Sequence, residues 1–385
     1  MNKISKKESR LSLRLLMLES TLTSSIILMP VMYLVFSDIG LNQAKIGLLQ
    51  FCFALAMLVL QVPTGYLADK FSRKASNAGG DIFLVIGMVI YFFAKSFWWA
   101  LAAEIVFAIG LSLTAGADSA LAKGHAENAG VDYKKYNSRL GQLSFIAGGV
   151  GAVLGGVIGA NNIRWPFLVQ ALVFLIAACF ALFIKNIGKK RKSNIHPIKD
   201  AGNIIKFCLH GHPKLAWRIF LGASLLTSTW VIVWLLTPSF FIAGMPLSWQ
   251  GIMFGLISVA AVLGGQFFIK NPKLKMTTPF LIAFIAYFTL SLSISIFTIL
   301  IFLLTSFARG INTSSVKPYI QEEVPEDIQA TALSVFDMVF RVFTSTFGLL
   351  VNFIANSGIK YGMMTAAAIT ITMYLIFETN KKRYE

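Results

Sequence analysis

Charge is scarce in this chain. Asp, Glu, Lys and Arg make up 13% of its 385 residues, against about a quarter in an ordinary soluble domain. The surface of one or two water-facing domains needs more than that. Disorder is excluded for the opposite reason: 56% of the residues are hydrophobic and mean hydropathy is +0.71, whereas disordered chains are poor in apolar residues. Cysteine is rare too. Cys52, Cys179 and Cys208 lie far apart, which excludes a disulfide framework and a zinc-ligand spacing. His210 and His212 sit two apart in a basic stretch and read as a solvated loop sooner than as a metal site. Catalytic motifs are missing as well: no Gly-x-Ser-x-Gly, no His-Glu-x-x-His, and no glycine loop followed by Lys-Ser or Lys-Thr. An enzyme and an ATP-driven pump are thereby disfavoured, and no cofactor or metal is called for.

Long apolar runs are abundant. A membrane-spanning helix needs roughly 20 mostly apolar residues. Twelve candidate runs occur, at 11–36, 43–64, 76–94, 97–118, 138–160, 165–184, 217–242, 248–269, 277–293, 295–316, 330–354 and 359–378. The first follows Lys3, Lys6, Lys7, Arg10 and Arg14 and lacks a small-residue cleavage site, so it reads as a retained span and not a signal peptide. Alternating the spans from a cytoplasmic N-terminus puts only Lys45, Lys95, Arg164 and Lys360 of the 34 Lys and Arg residues on the outer side, with Arg309 and Arg341 inside spans. That asymmetry obeys the positive-inside rule and puts both termini in the cytoplasm. Trp98, Trp99, Trp165 and Trp249 fall at expected outer span ends, where indole rings favour the headgroup level. The net charge of +17 is therefore an orientation signal with an affinity for anionic lipid heads, not a nucleic-acid footprint. A bacterial inner membrane is the expected location, and a monomer the expected state.

Six spans precede residue 185 and six follow 217. The expected organisation is an N-terminal six-helix bundle over 1–185, a basic cytoplasmic linker over 186–216 and a C-terminal six-helix bundle over 217–385. Ile198, Ile204, Ile205, Phe207 and Leu209 give the linker an apolar face, suited to a short helix on the inner membrane surface or to a basic loop. The halves echo weakly, with Gly110 in the fourth span and Gly310 in the tenth. Twelve helices in two related halves are how many secondary transporters are built, with the substrate near the midplane.

The most specific local motif follows the second span: Gln61-Val-Pro-Thr-Gly65-Tyr-Leu67-Ala68-Asp69-Lys70-Phe-Ser72-Arg73-Lys74. Pro63 and Gly65 are expected to end that helix, and Asp69 and Arg73, four apart, to pair on one helical turn. This stretch resembles the loop G-x-L-A-D-R-x-G-R-K of the major facilitator superfamily, matching at Gly65, Leu67, Ala68, Asp69, Arg73 and Lys74 and departing at Lys70 and Ser72. The Pro-Thr-Gly run, with Ser119-Ala-Leu121 later, looks like a drug-export-like or uncharacterised branch. The resemblance implies an all-α membrane protein, the major facilitator fold. It also implies that Asp69, Arg73 and Asp118 latch the outward-open state. The matching loop of the second half, 270–275, has the positive charges but no Asp.

Gly151, Gly155 and Gly159 recur every four residues in the fifth span, giving one flat face for close helix contact. Gly251 and Gly255 sit in the eighth. In the family the fifth and eighth helices meet across the bundles, so the resemblance implies that these glycines form an outer seal; packing within one bundle is the alternative. The family's antiporter motif, G-P-x-x-G-G, is matched at Gly151, Gly155 and Gly156 but carries Ala152 where proline belongs.

Ionisable residues at membrane depth are costly and mark functional sites. Glu19 and Glu104 fall on the first and fourth spans, which the family fold places around the cavity. Either carboxylate can exchange protons there or contact substrate, or serve as a hydrogen-bonded structural acid. Asp337 and Arg341 can satisfy each other at i, i+4. Arg309 can hold a substrate anion or pair with an acid such as Glu322. Trp230 and Trp234, a turn apart, can stack on an aromatic or cationic substrate or pack against lipid. Asp81 falls near an inner span end and reads as interfacial. The expected function is secondary transport by alternating access, with protons as coupling ion and export of a small amphiphilic or drug-like molecule. The alternatives are proton-coupled uptake of a nutrient or organic anion, and a transporter-like receptor or scaffold.

Overall fold

The structure, a computed structural model, describes residues 4–70, 72–187, 206–271, 273–324 and 329–384, with the backbone alone at 62, 65–70, 134, 329–331 and 381–384. Among the described residues it is helical, with no strand. The chain divides into two compact units, Met1–Gly40 with Leu55–Pro197, and Leu41–Ala54 with Ile198–Glu385. Among the described residues, ten helical stretches are long and apolar enough to cross a membrane. Of the twelve runs read from the sequence, the first is broken and the ninth forms a shorter helix.

The first run makes α1 (Lys6–Thr23) and α2 (Met29–Asp38). The cause lies in its hydroxyl run. Thr21, Ser24 and Ser25 donate to the carbonyls of Met17, Ser20 and Leu22, each at 2.6 Å, and such back-bonding competes with the helical ladder. The helix restarts with Pro30 in its first turn, where the missing N–H costs nothing. The broken backbone is satisfied from α8 (Trp165–Phe183), whose Gln170 Oε1 accepts the Ile27 N–H at 2.9 Å. It is accommodated by α7 (Tyr133–Asn161): a Cβ added to Gly155 would lie 1.7 Å from the Ile27 carbonyl oxygen.

Helix α3 (Gln43–Lys70) does not end at Pro63 and Gly65 but runs through both. Membrane helices tolerate proline where hydroxyls and neighbours re-satisfy the backbone. Here the Thr64 hydroxyl lies 2.8 Å from the Leu60 carbonyl and 2.9 Å from that of Ser112. Next come α4 (Arg73–Phe93), α5 (Phe97–Thr114) and α6 (Ala117–Ala129). Gly116, at φ 82°, kinks α5 into α6, a conformation that favours glycine. Helices α4 and α5 touch backbone to backbone at Gly80 and Gly110, where a Cβ on Gly110 would meet the Gly80 carbonyl at 2.8 Å.

In unit 2 the run 217–242 is interrupted. Helix α9 (Pro213–Trp230) gives way to a tight turn at Val233–Leu235 and then α10 (Leu236–Ile242). Helices α11 (Leu247–Lys270), α12 (Thr278–Leu292), α13 (Phe302–Gln321), α14 (Gln329–Ala355) and α15 (Ile359–Tyr384) complete it. Gly310, the counterpart of Gly110 in the sequence echo, likewise lets two helices touch, since its Cβ would fall 1.8 Å from the Ala261 carbonyl of α11. The core packs Leu215, Ile219, Phe280, Val316 and Phe336. The first turns of α3 belong to this unit, where Gln43 Nε2 donates to Asn352 Oδ1 (2.6 Å) and the Trp234 carbonyl (3.0 Å). The linker residues 188–205, including Ile198, Ile204 and Ile205, lie outside the described ones; Phe207–Gly211 forms a single π turn with Cys208 buried.

Candidate functional site

Unit 1 gathers acids. Glu19 lies one turn before the end of α1 and is 2% exposed. Its Oε2 accepts from Ser20 Oγ at 3.0 Å. Facing it from α4 are Asn77 and Asp81, 1% and 0% exposed. Glu19 and Asp81 lie within electrostatic reach of each other and of Asp118. The Asn77 and Asp81 side chains are within hydrogen-bonding reach of Glu19, and their polar atoms find no other partner among the described residues. Among the described residues, the charged groups acting on Glu19 and Asp81 are acids. The arrangement gathers buried carboxyl groups, whose ionised forms are costly without a cation beside them.

Asp81 is thus fully buried within the protein. Residues 77 and 81 are four apart, so they share one face of α4. That spacing, in a helix whose other inner positions are small or apolar, is the signal that points to both. Asp118 sits in the first turn of α6, half-buried, with Ser119 N–H donating to its Oδ1 at 2.5 Å. A helix N-terminus suits a carboxylate.

The loop motif is arranged differently from the i, i+4 pair expected of it. Asp69 belongs to the last turn of α3 and Arg73 opens α4, with Ser72 extended before it (φ −167°, ψ 121°). They share no helical turn; the Asp69 side chain itself lies outside the described residues. Glu104 on α5 is 3% exposed and acts electrostatically on Tyr91, whose ring packs against Phe36 and Phe167. It belongs to this aromatic cluster and not to the Glu19 group. Gly151 and Gly155 face the Ile26–Ile27 backbone within unit 1. Gly159 lies one turn further along α7, while Gly251 and Gly255 lie in the first half of α11, in unit 2.

Unit 2 holds the cations. The Arg309 guanidinium on α13 lies 5.0 Å from the Trp230 ring centroid and 3.4 Å from Ser306 Oγ, and it acts on Tyr287. No acid pairs with it among the described residues: Glu322 and Glu323 bind Arg218 instead, at 3.5 and 3.1 Å. The Trp230 face is therefore taken by Arg309, and Trp234 lies within the turn Val233–Leu235, beyond the end of the helix that carries Trp230, with its carbonyl receiving Gln43. Asp337 and Arg341 sense each other's charge but form no ion pair within 4.0 Å, and Arg341 Nε has no partner among the described residues. The self-satisfied pair expected at i, i+4 is not formed.

Residues 16–349 match the family described as Major Facilitator Superfamily. An uncharacterized MFS-type transporter, YxaM of Bacillus subtilis, is 26% identical over 157 residues, covering 40% of this chain and 38% of that protein. The fosmidomycin resistance protein of Escherichia coli is 28% identical over 178 residues, covering 42% and 41%. The chain thus matches about two fifths of the length of each of these relatives. Among solved structures, a mutant form of the nucleoside transporter NupG superposes with TM-score 0.79 at 15% identity, covering 97% of this chain and 99% of that one. A bacterial homologue of the lysosomal transporter Spinster does so with TM-score 0.78 at 16% identity, covering 99% and 98%. These likenesses carry the fold.

Proposed function

The chain belongs to the major facilitator superfamily, and from that premise we propose that it is a secondary active transporter, proton-coupled, that exports a small amphiphilic or drug-like molecule by alternating access. In this reading it has twelve spans, with α1 and α2 together as the first and α12 as the ninth. The observation that carries it is the acid group of unit 1, in which Glu19 and Asp81 are buried with, among the described residues, acids alone as charged neighbours. Such a group needs a mobile cation, and a proton admitted from either side supplies one. Export is supported by the relative named for fosmidomycin resistance. The test is expression in a sensitised bacterial strain with and without Glu19→Gln. The reading expects raised resistance to fosmidomycin or another small amphiphile, lost in the variant, with proton movement on substrate addition in proteoliposomes. Substrate accumulation inside cells would overturn export.

A second reading, uptake of an organic anion, is favoured by Arg309. This buried cation has an aromatic face and a hydroxyl beside it but no carboxylate among the described residues, so an anionic group is the ligand it fits. Uptake of labelled anions lost in Arg309→Gln would select it.

A further inference from the structure

The opening turns of α7 carry side chains that the acid group does not use. Lys135, Ser138, Arg139 and Gln142 are spaced i, i+3, i+4 and i+7, which sets them on one face over two helical turns. All four are exposed, and together they line a cavity of about 470 Å³. Gly141, beside Gln142, has nothing within 4 Å of a built Cβ, so the space along the helix is open. A volume of that order admits a small organic molecule and not merely an ion.

The chemistry of the lining narrows the ligand. Lys135 and Arg139 bring two positive charges, and neither forms an ion pair with an acid among the described residues. Asp132, the nearest acid in sequence, caps the helix start, where its Oδ1 accepts the Lys135 N–H at 3.3 Å. The adjoining face of α7 is held by α1: the Tyr136 hydroxyl donates to the Leu13 carbonyl at 3.1 Å. That contact brings the exposed Arg10 and Arg14 of α1 to the same level, and they add to the positive potential. Ser138 and Gln142 contribute neutral donors. Two cations with neutral donors beside them match a phosphate-type head, which carries a charge of about −1.5 to −2 at neutral pH and three acceptor oxygens. A carboxylate brings a single charge. One turn beyond Gln142 on the same face, Ile146 is 62% exposed, so the strip changes from cationic to apolar along the helix.

We propose that Lys135, Ser138, Arg139 and Gln142 bind the phosphate-type head of an amphiphilic anion, whose tail lies along Ile146. The inference rests on the export reading, in which the start of α7 opens to the cytoplasm and the site loads the substrate. A free amphiphile and a phospholipid share this chemistry, and the experiment separates them.

The probe is hexyl phosphate, titrated calorimetrically into the purified full chain in non-ionic detergent at about pH 8, where its head is a dianion. Hexanoate and hexyltrimethylammonium are the controls. Saturable binding is expected, about tenfold or more tighter than that of hexanoate, weaker at high salt, and absent for the ammonium. Lys135→Gln and Arg139→Gln should each weaken it about tenfold, and the double variant should abolish it. Arg139→Lys keeps the charge but loses the planar fork, so it should fall between. These side chains are exposed, so the variants should unfold at the wild-type midpoint. No binding, equal binding of phosphate and carboxylate, or undiminished binding in the folded double variant overturns the proposal. Flux of hexyl phosphate in proteoliposomes, lost in the double variant, identifies a free solute as the occupant. Displacement by dihexanoyl phosphatidic acid without such flux identifies a lipid head. Flux of another amphiphile with no hexyl phosphate binding sinks the site and leaves the transport reading standing. Binding without flux of any amphiphile does the reverse.

Discussion

Replacing Gly155 with alanine tests whether α7 builds the break in the first span. The added Cβ would lie 1.7 Å from the Ile27 carbonyl oxygen and 2.7 Å from its carbon. A carbon–oxygen contact settles at about 3.3 Å, so the two backbones must separate by about 1.6 Å. The obstacle is main chain, with no rotamer to turn aside, and the Ile27 amide is pinned by Gln170 at 2.9 Å. Overpacking costs about 1–3 kcal/mol, and a collision of main chain belongs at the upper end. In a unit of this size each kcal/mol lowers the midpoint by about 2–4 °C, so a fall of about 6–12 °C is expected. Gly141 is the control. It lies in the same helix with nothing within 4 Å of a built Cβ, so Gly141→Ala should hold or raise the midpoint, by up to about 1 kcal/mol of helix propensity. Thermal unfolding in detergent, followed by near-UV circular dichroism, reads both. A third arm adds Gln170→Leu, which frees Ile27 to retreat; the double variant should lose less than the two single losses combined. Equal midpoints for Gly155→Ala and Gly141→Ala would refute the reasoning.

Three other outcomes follow from the same geometry. Arg309→Ala should shift the emission of Trp230, because the guanidinium 5.0 Å from its ring is lost; the Trp230→Phe difference spectrum isolates that ring, and an unchanged spectrum counts against the stack. Burial pushes the Cys208 thiol up, so the reactive thiolate appears only at higher pH than for a free cysteine. Native maleimide labelling at Cys208 should be slow, rise late with pH and become fast on unfolding. At the start of α1, the Ser5 N–H and hydroxyl hold the Glu8 carboxyl below its usual range. A depressed carboxylate stabilises above its unfolded pKa of about 4.3 and stops doing so as pH falls through the folded value. Protection of the first turns of α1 against hydrogen exchange, relative to the intrinsic rate at each pH, should therefore fall on acidification, and Glu8→Gln should flatten that fall.

Much of the architecture is legible in the sequence because membrane helices announce themselves by length and hydropathy. The departures share one cause. Hydropathy records how long an apolar run is, but not whether its backbone stays helical. The run 11–36 is long enough to span, yet its Ser and Thr hydroxyls bond their own carbonyls and open the helix. Pro63 looks like a terminator in a linear reading, yet α3 continues past it with Thr64 set between two carbonyls. At the site, Glu19 is found by its cost at membrane depth. Asn77 escapes a sequence reading because an uncharged amide carries no such flag. Asp81 reads as interfacial from its place near a span end, and its burial among other helices is tertiary information that span position does not carry. Arg309 stands out in the sequence as a cation in need of company; that its company is Trp230 and not Glu322 is tertiary information.

The hydroxyl run, the glycine ladder and the lone Glu19 read as separate features along the chain, and unit 1 joins them. Glu19 stands one turn before the point where α1 ends, so the direction of its carboxylate depends on how that end is held. Three contacts hold it: Ser24 Oγ to Ser144 Oγ of α7 at 3.0 Å, Ile27 N–H to Gln170 of α8, and the bare Gly155 face against the Ile27 carbonyl. Each comes from a helix other than the one carrying Asn77 and Asp81. A shift of α7 would therefore swing Glu19 relative to α4, separating two carboxyl groups that act on each other. If these acids exchange protons as proposed, no dedicated gate is needed at the acids themselves. What is needed is a stiff break in the first span, which is why a single methyl at Gly155 should weaken proton-coupled flux as well as stability, while the same methyl at Gly141 should change neither for the worse.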